Sequence, residues 1–257
     1  MNLYDAILVR KSVKNYHMDE LEQTMLNNIL NFANHLSMLT EDNKVQYKIL
    51  HHSYTDNKLL SIFSVKAPYY FVIASDNDDL SLMNNAYLME QISLYLTTKG
   101  IGSYLIGKKK INKELVDGLN YDSGLIMAFG KAKDNIYRDV RKLKHIDEKD
   151  ICIYKCEPDM SLKSLMKIAS YSTANRTMQP FRFVIYDNRI HLFSKKETFH
   201  ARTYHEAKNI DIGIILAHLL VAAEELWFQT TIKKQENITN REMKNNEYVI
   251  SLFLKAA

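Results

Sequence analysis

Arg10, Lys11 and Ser12, followed by Lys14, concentrate three cations and one hydroxyl within five consecutive residues. Guanidinium and ammonium groups make charge-assisted hydrogen bonds to anionic oxygens and a serine adds a short neutral donor, so the cluster suits a phosphate. The same residues would also serve as a solvated basic turn. A second stretch, Gly100-Ile101-Gly102-Ser103-Tyr104-Leu105-Ile106-Gly107, holds three of the seven glycines in the chain, a density that points to close backbone approach as well as to a helix stop and a turn. A third, Ser172-Thr173-Ala174-Asn175 with Gln179-Pro180-Phe181 after it, offers hydroxyls and amides to a polar heterocycle or its sugar chain. An ordinary helix-to-strand loop uses the same residue types. His218 lies in an apolar run and reads as an interior or interface histidine rather than a general acid.

These groups need elements to carry them. Apolar residues at Leu21, Met25, Leu26, Ile29, Leu30, Ala33 and Leu36 predict an amphipathic helix over residues 21–36, with Asp19 as its cap and Glu22 three residues on. Strands are expected at 45–51 and, after Pro68, at 69–74. A helix over 87–99 runs to Gly100, the residue type that ends helices, and leads into a strand at 103–106; another strand follows at 125–129. Residues 131–158 are rich in charge and poor in apolar periodicity and read as a connection. Beyond it come a helix at 162–169, strands at 181–186 and 189–193, a helix at 211–226, and strands at 229–233 and 248–254. Such alternation predicts a layered α/β architecture.

The order of elements recurs. Laying Leu30-Asn31-Phe32-Ala33 over Met166-Lys167-Ile168-Ala169 carries Val45 to Ile49 onto Phe181 to Ile185 without a gap. A second block sets the helix ending at Lys99 over the one ending near Leu226, so that Gly100-Ile101-Gly102-Ser103 falls on Trp227-Phe228-Gln229-Thr230. The expected halves are residues 1–145 and 158–257, together one unit that imitates a dimer.

Composition narrows the function classes. With 46% hydrophobic residues and charges of both signs, the chain can fill a real core. Its longest apolar run, 212–223, stops short of the ~20 residues of a bilayer span, and the first residues lack the basic and apolar regions of a secretory signal, so a cytoplasmic protein without a membrane partner is expected. A net charge of +4, spread along the sequence, makes no nucleic-acid surface but leaves room for a small-anion pocket. Cys152 and Cys156 are too few for a structural zinc and read as reduced thiols.

The motifs resemble those of the nitroreductase family. In that family an R-x-S-x-R/K motif binds the phosphate and ring edge of FMN, and here it reads Arg10-Lys11-Ser12-Val13-Lys14. A serine- and asparagine-bearing loop before Q-P-W-x-F is similar to residues 170–183, with Tyr171 in place of a proline, Thr177-Met178 inserted and Phe181 for the tryptophan. The family's G-L-G-t-x-W-I-G matches the glycine stretch, and its later basic pair matches Arg141-Lys142 after Gly130-Lys131-Ala132. The resemblance implies a three-layer α/β (α+β) nitroreductase-like fold with a mixed, mainly antiparallel sheet and an internal pseudo-two-fold repeat. It also implies a cofactor set of Arg10, Lys11, Ser12, Lys14, Ile106, Gly107, Arg141, Lys142, Ser172, Thr173, Asn175 and Gln179. The first half has Leu36 and Leu39 where the second has Ser172 and Asn175, and the second has no R-x-S before its helix, so one FMN per chain is expected, between the halves. The expected activity carries electrons from NADH or NADPH through FMN to a nitroaromatic, quinone or similar small acceptor, in a monomer or a dimer of fused chains. A non-catalytic FMN carrier or a cofactor-free scaffold of the same fold is the alternative.

Overall fold

The side chain of Asn2 accepts a hydrogen bond from the Asp5 amide at 2.8 Å and starts α1 (Leu3–Val9), a helix too short to show a periodic stripe. The computed structural model describes residues 1–40, 43–55, 65–111, 118–142, 146–171, 180–196, 202–239 and 243–256. These divide into two units, Met1–Lys142 and Leu143–Ala257.

In the first unit, α2 (Gln23–Asn34) carries the expected stripe, but the capping box at its start does not form. The Leu21 amide donates instead to the Tyr69 hydroxyl at 3.1 Å, and the helix begins two residues later than the apolar pattern. Four antiparallel strands, β1 (Gln46–His51), β2 (Tyr69–Ala74), β3 (Gly102–Lys110) and β4 (Ser123–Gly130), make a sheet of order β1-β2-β4-β3. Between β2 and β3 runs α3 (Asp79–Thr98), capped by the Asp78 side chain on the Ser81 amide at 2.9 Å. Its residues are buried from Ser81 to Leu94, polar Asn84, Asn85, Glu90 and Gln91 included. With no solvated face there is no stripe, which is why the helix starts well before the expected residue 87.

The central strands β2 and β4 are buried on both faces. Helix α3 packs on one face, while Val13, Tyr16, Val65 and Leu119 join Tyr70, Val72, Ile126 and Ala128 on the other. The chain after α1 therefore passes from the α3 side of the sheet to the opposite side, and it does so at the start of edge strand β3.

In the second unit, the stretch expected to be a plain connection contains α4 (Glu148–Ile151) and β5 (Cys152–Tyr154). Then come α5 (Met160–Tyr171), β6 (Phe181–Tyr186), β7 (Arg189–Lys195), α6 (Arg202–Glu225), β8 (Phe228–Lys233) and β9 (Asn246–Ala256). The sheet order is β5-β6-β7-β9-β8, and the short β5 pairs with β6 in parallel, the feature that makes this sheet mixed. Helix α6 starts before the expected residue 211 for the reason α3 does: Lys208, Asn209, Asp211 and His218 are buried in it among apolar neighbours. Without the short helices and β5, the two units share one element order and one strand order, β1-β2-β4-β3 against β6-β7-β9-β8. Among the described residues no helix is long and apolar enough to cross a membrane.

Candidate functional site

The basic turn is held on three sides. Arg10 bridges to Tyr137, Ser12 lies parallel to Ser103, and Tyr16 bridges to Ala132. The Val13 amide donates to the Ser103 carbonyl at 2.9 Å, the His17 amide to Lys131 at 2.9 Å, and the Lys133 amide to Asn15 at 3.0 Å. The Tyr16 hydroxyl is shared between the carbonyls of Val13 and Ala128, and burial pushes its pKa far above the usual phenol range. Gly102 makes this seat possible, because a Cβ there would stand 2.9 Å from a Val13 methyl. Ser103 is fixed from behind by Ser93 of α3, Oγ to Oγ at 2.8 Å.

Arg10 turns toward α3 and pairs through Nε with Glu90 at 3.1 Å; the two side chains are 17% and 6% exposed. Arg138 joins them from the segment after β4. Its Nε and Nη2 donate to the carbonyls of Leu8 and Ile7 at 2.8 and 2.7 Å, which closes the C-terminal end of α1 with a cation, the sign that end favours. Burial first, then the charge of Arg10, bring the Arg138 guanidinium down to about 10, with Glu90 acting in the opposite direction. Two guanidiniums thus surround one buried carboxylate. The surplus of positive charge in a partly desolvated place favours an incoming anion.

Lys11 is half-buried, Ser12 exposed, and Lys14 rests over the Tyr104 ring at 5.0 Å. In β3 the pairing with β4 slips between Leu105 and Gly107, so Ile106 forms a bulge whose side chain packs toward the core, and the space beside Gly107 is open, with no atom within 4 Å of where a Cβ would stand. Arg10, Lys11, Ser12 and Lys14 therefore share one edge of the first unit with Ile106 and Gly107. Arg141 and Lys142 are placed otherwise: both are exposed on a short 3-10 turn, and Arg141 forks onto Asp139 at 3.0 and 2.9 Å. That fork lowers the Asp139 pKa and raises that of Arg141. Ser172, Thr173, Asn175 and Gln179 lie outside the described residues.

The motif match to Arg141-Lys142 passed over Arg138 and Glu90. Glu90 did leave a signal, a lone acid between Met89 and Gln91 in a helix with no charged face. The donor set around Arg10 fits a phosphate-bearing group, with Arg10, Arg138 and Lys11 or Lys14 as cations and Ser12 as neutral donor. A second recess, about 650 Å³, lies in the second unit between α4, β5 and α5, lined by Glu148, Tyr154, Lys163, Lys167 and Tyr171. Its acids and lysines balance, and the Tyr154 hydroxyl donates to Glu148. Cys152 and Cys156 are free thiols, and burial pushes the Cys152 pKa up.

The family model described as "Putative TM nitroreductase" matches residues 2–223. The chain belongs to this nitroreductase family. The crystal structure of a Thermotoga maritima MSB8 protein described in similar terms has the same fold over 99% of this chain and 94% of its own, with a TM-score of 0.67 and 18% identity. An FMN-dependent nitroreductase from Clostridium difficile R20291 aligns over 57% of this chain and 95% of its own, at 18% identity and a TM-score of 0.43. A nitroreductase family protein from Clostridium novyi NT aligns over 55% of this chain and 90% of its own, at 18% identity and a TM-score of 0.43. No curated protein matches. Family membership makes the chain a nitroreductase-type oxidoreductase, and its mixed, mainly antiparallel sheets agree with the architecture expected from the sequence.

Proposed function

We propose that this nitroreductase-family chain binds one FMN and moves electrons from NADH or NADPH to a small acceptor of the nitroaromatic or quinone class. The observation that carries the reading is the cationic group of the first unit, where Arg10 and Arg138 outnumber Glu90 and the chain after Arg10 lays Ser12 along the start of β3, the strand that carries the bulge at Ile106. When bound, FMN would supply the hydride and electron chemistry. The protein's own residues have simpler tasks. Glu90 orients the Arg10 guanidinium, Arg138 ties that region to α1, Ser12 offers an exposed hydroxyl, and the bulge offers backbone amides at an open surface. The basic motif occurs once, in the first unit, which supports a stoichiometry of one. The Arg10–Glu90 pair favours a second reading, a cofactor-free scaffold, because Arg10 already has an anionic partner.

Titration with FMN, followed by flavin fluorescence, separates the two. Wild type should bind one FMN per chain. Arg10→Gln should weaken binding by about 1.5 to 3 kcal/mol, roughly tenfold to a hundredfold, while Lys163→Gln on the exposed face of α5 should leave it unchanged. No binding by wild type would establish the scaffold reading, and equal affinities of the two variants would remove Arg10 from the site.

A further inference from the structure

Charges of opposite sign line the recess of the second unit without meeting. Asp147 and Glu148 come from the start of α4, and Lys163 and Lys167, one turn apart on the exposed face, come from α5. Both carboxylates are engaged by the protein itself: Asp147 accepts from the Lys149 amide at 3.1 Å and Glu148 from the Tyr154 hydroxyl. The lysines are not. Among the described residues neither ammonium has a hydrogen bond or an ion pair, and the Ser164 hydroxyl in the same recess has no partner either. Glu148 keeps acceptor capacity beyond the one bond from Tyr154, so both walls have polar groups to offer.

The recess is built before anything enters it. The Ile146 amide donates to the Ser170 carbonyl at 3.1 Å and ties the chain before α4 to the last turn of α5, while the Asp159 side chain caps α5 on the Leu162 amide at 2.7 Å. Tyr154 is carried by β5, which pairs with β6. The volume of about 650 Å³ is that of a small-molecule site, for which roughly 300 to 1,000 Å³ is usual. Between the charges the lining is apolar, from Ile146, Pro158, Met160 and the rings of Tyr154 and Tyr171. Met160 lines the recess and is nevertheless 77% exposed, a thioether that an aromatic ring would cover favourably.

We propose that this recess binds a free amino acid with an aromatic side chain. Its carboxylate meets Lys163, Lys167 and Ser164, its ammonium meets Glu148 and Asp147, and its ring lies against Met160. Charge selects this class. A simple anion would lie beside two carboxylates and a simple cation beside two ammoniums, whereas a zwitterion adds no net charge to a balanced site and satisfies both walls. Helix α4 packs against α5, so the two walls are close together, as are the two charges of an amino acid. The site lies wholly in the second unit and does not rest on the FMN reading.

Isothermal titration calorimetry on the full chain, with phenylalanine up to about 10 mM, tests this; the dissociation constant should lie below about 1 mM. Phenylpropionate, which lacks the ammonium, and phenylethylamine, which lacks the carboxylate, should each bind at least tenfold more weakly. Lys163→Gln with Lys167→Gln should weaken phenylalanine at least tenfold without weakening phenylethylamine. Glu148→Gln, whose amide oxygen still accepts from Tyr154, should weaken phenylalanine without weakening phenylpropionate. Circular dichroism would verify that both variants keep the fold. No binding of phenylalanine, equal binding of either single-charge analogue, or indifference of phenylalanine binding to either set of changes would each overturn the proposal.

Discussion

Gly100 and Gly102 of the first unit stand where Trp227 and Gln229 stand in the second, at the entry to the strand that follows the long helix, in sheets of one strand order. In the first unit the missing side chains let Val13 come within contact of the strand and draw the basic turn over it. In the second the side chains are present and no segment lies there among the described residues. The buried charges differ as well. Helix α3 holds an acid, Glu90, that fixes a cation from outside, whereas α6 holds a cation, Lys208, paired with Glu247 of β9 at 2.7 Å. Two units of one strand order thus differ at the edge after the long helix, which a segment of the chain covers in the first and none does among the described residues of the second.

The comparison can be broken most strongly at those buried charges. Glu90→Gln leaves Arg10 and Arg138 together without a carboxylate and should cost the first unit about 3 kcal/mol. Lys208→Met should cost the second about 1 kcal/mol or less, because Glu247, half exposed, can turn to water. Amide hydrogen exchange read on peptides of each unit measures both, and equal losses would erase the distinction. Next in size, Gly102→Leu should cost about 2 kcal/mol by pushing Val13 aside, while Gln229→Leu stays within about 0.5 kcal/mol in urea unfolding. The left-handed position sharpens the contrast. Gly100→Ala should destabilise by about 1 kcal/mol and Trp227→Gly should stabilise by a similar amount, both measured by urea unfolding.

The smallest effect is a pH dependence belonging to the second unit. Arg189 donates to Nε2 of buried His191 at 3.3 Å, so Nδ1 carries the proton and donates to Ser251 at 2.6 Å. Burial and then the charge of Arg189 lower its pKa from the ordinary 6.5. The unfolded chain therefore takes up the proton first as pH falls. This contribution to stability is complete above about 6.5 and is lost as pH drops from there to the folded-state value. His191→Gln should flatten thermal stability against pH in that window, and an unchanged slope would place the titration elsewhere.

Helices with one wet face are legible in the amino-acid sequence, α2 and α5 from their stripes; the largely buried strands β2 and β6 are legible from their β-branched and aromatic runs, and the end of α3 from Gly100. The helices α3 and α6 are legible only in part, since burial on every side removes the contrast that periodicity needs. A two-turn helix such as α1 and a three-residue strand such as β5 depend on partners far along the chain, Arg138 and β6, that no local window contains. Within the site, residue type locates the turn at Arg10. Whether Arg138 or Arg141 joins it depends on the half-buried Asp139, which holds Arg141 at the surface.

Arg138 also sets an order in time. Its guanidinium holds the carbonyls of Ile7 and Leu8, partners 131 and 130 residues earlier. During synthesis α1 leaves the ribosome well before Arg138, as a segment of seven residues that cannot keep helical structure alone. At usual elongation rates roughly 10 s pass before Arg138 is made, and it emerges later still. The α1 segment is thus made early and fastened late, and through that interval Arg10 and its neighbours are open to chaperones and proteases, a vulnerability that ends only when Arg138 is in place.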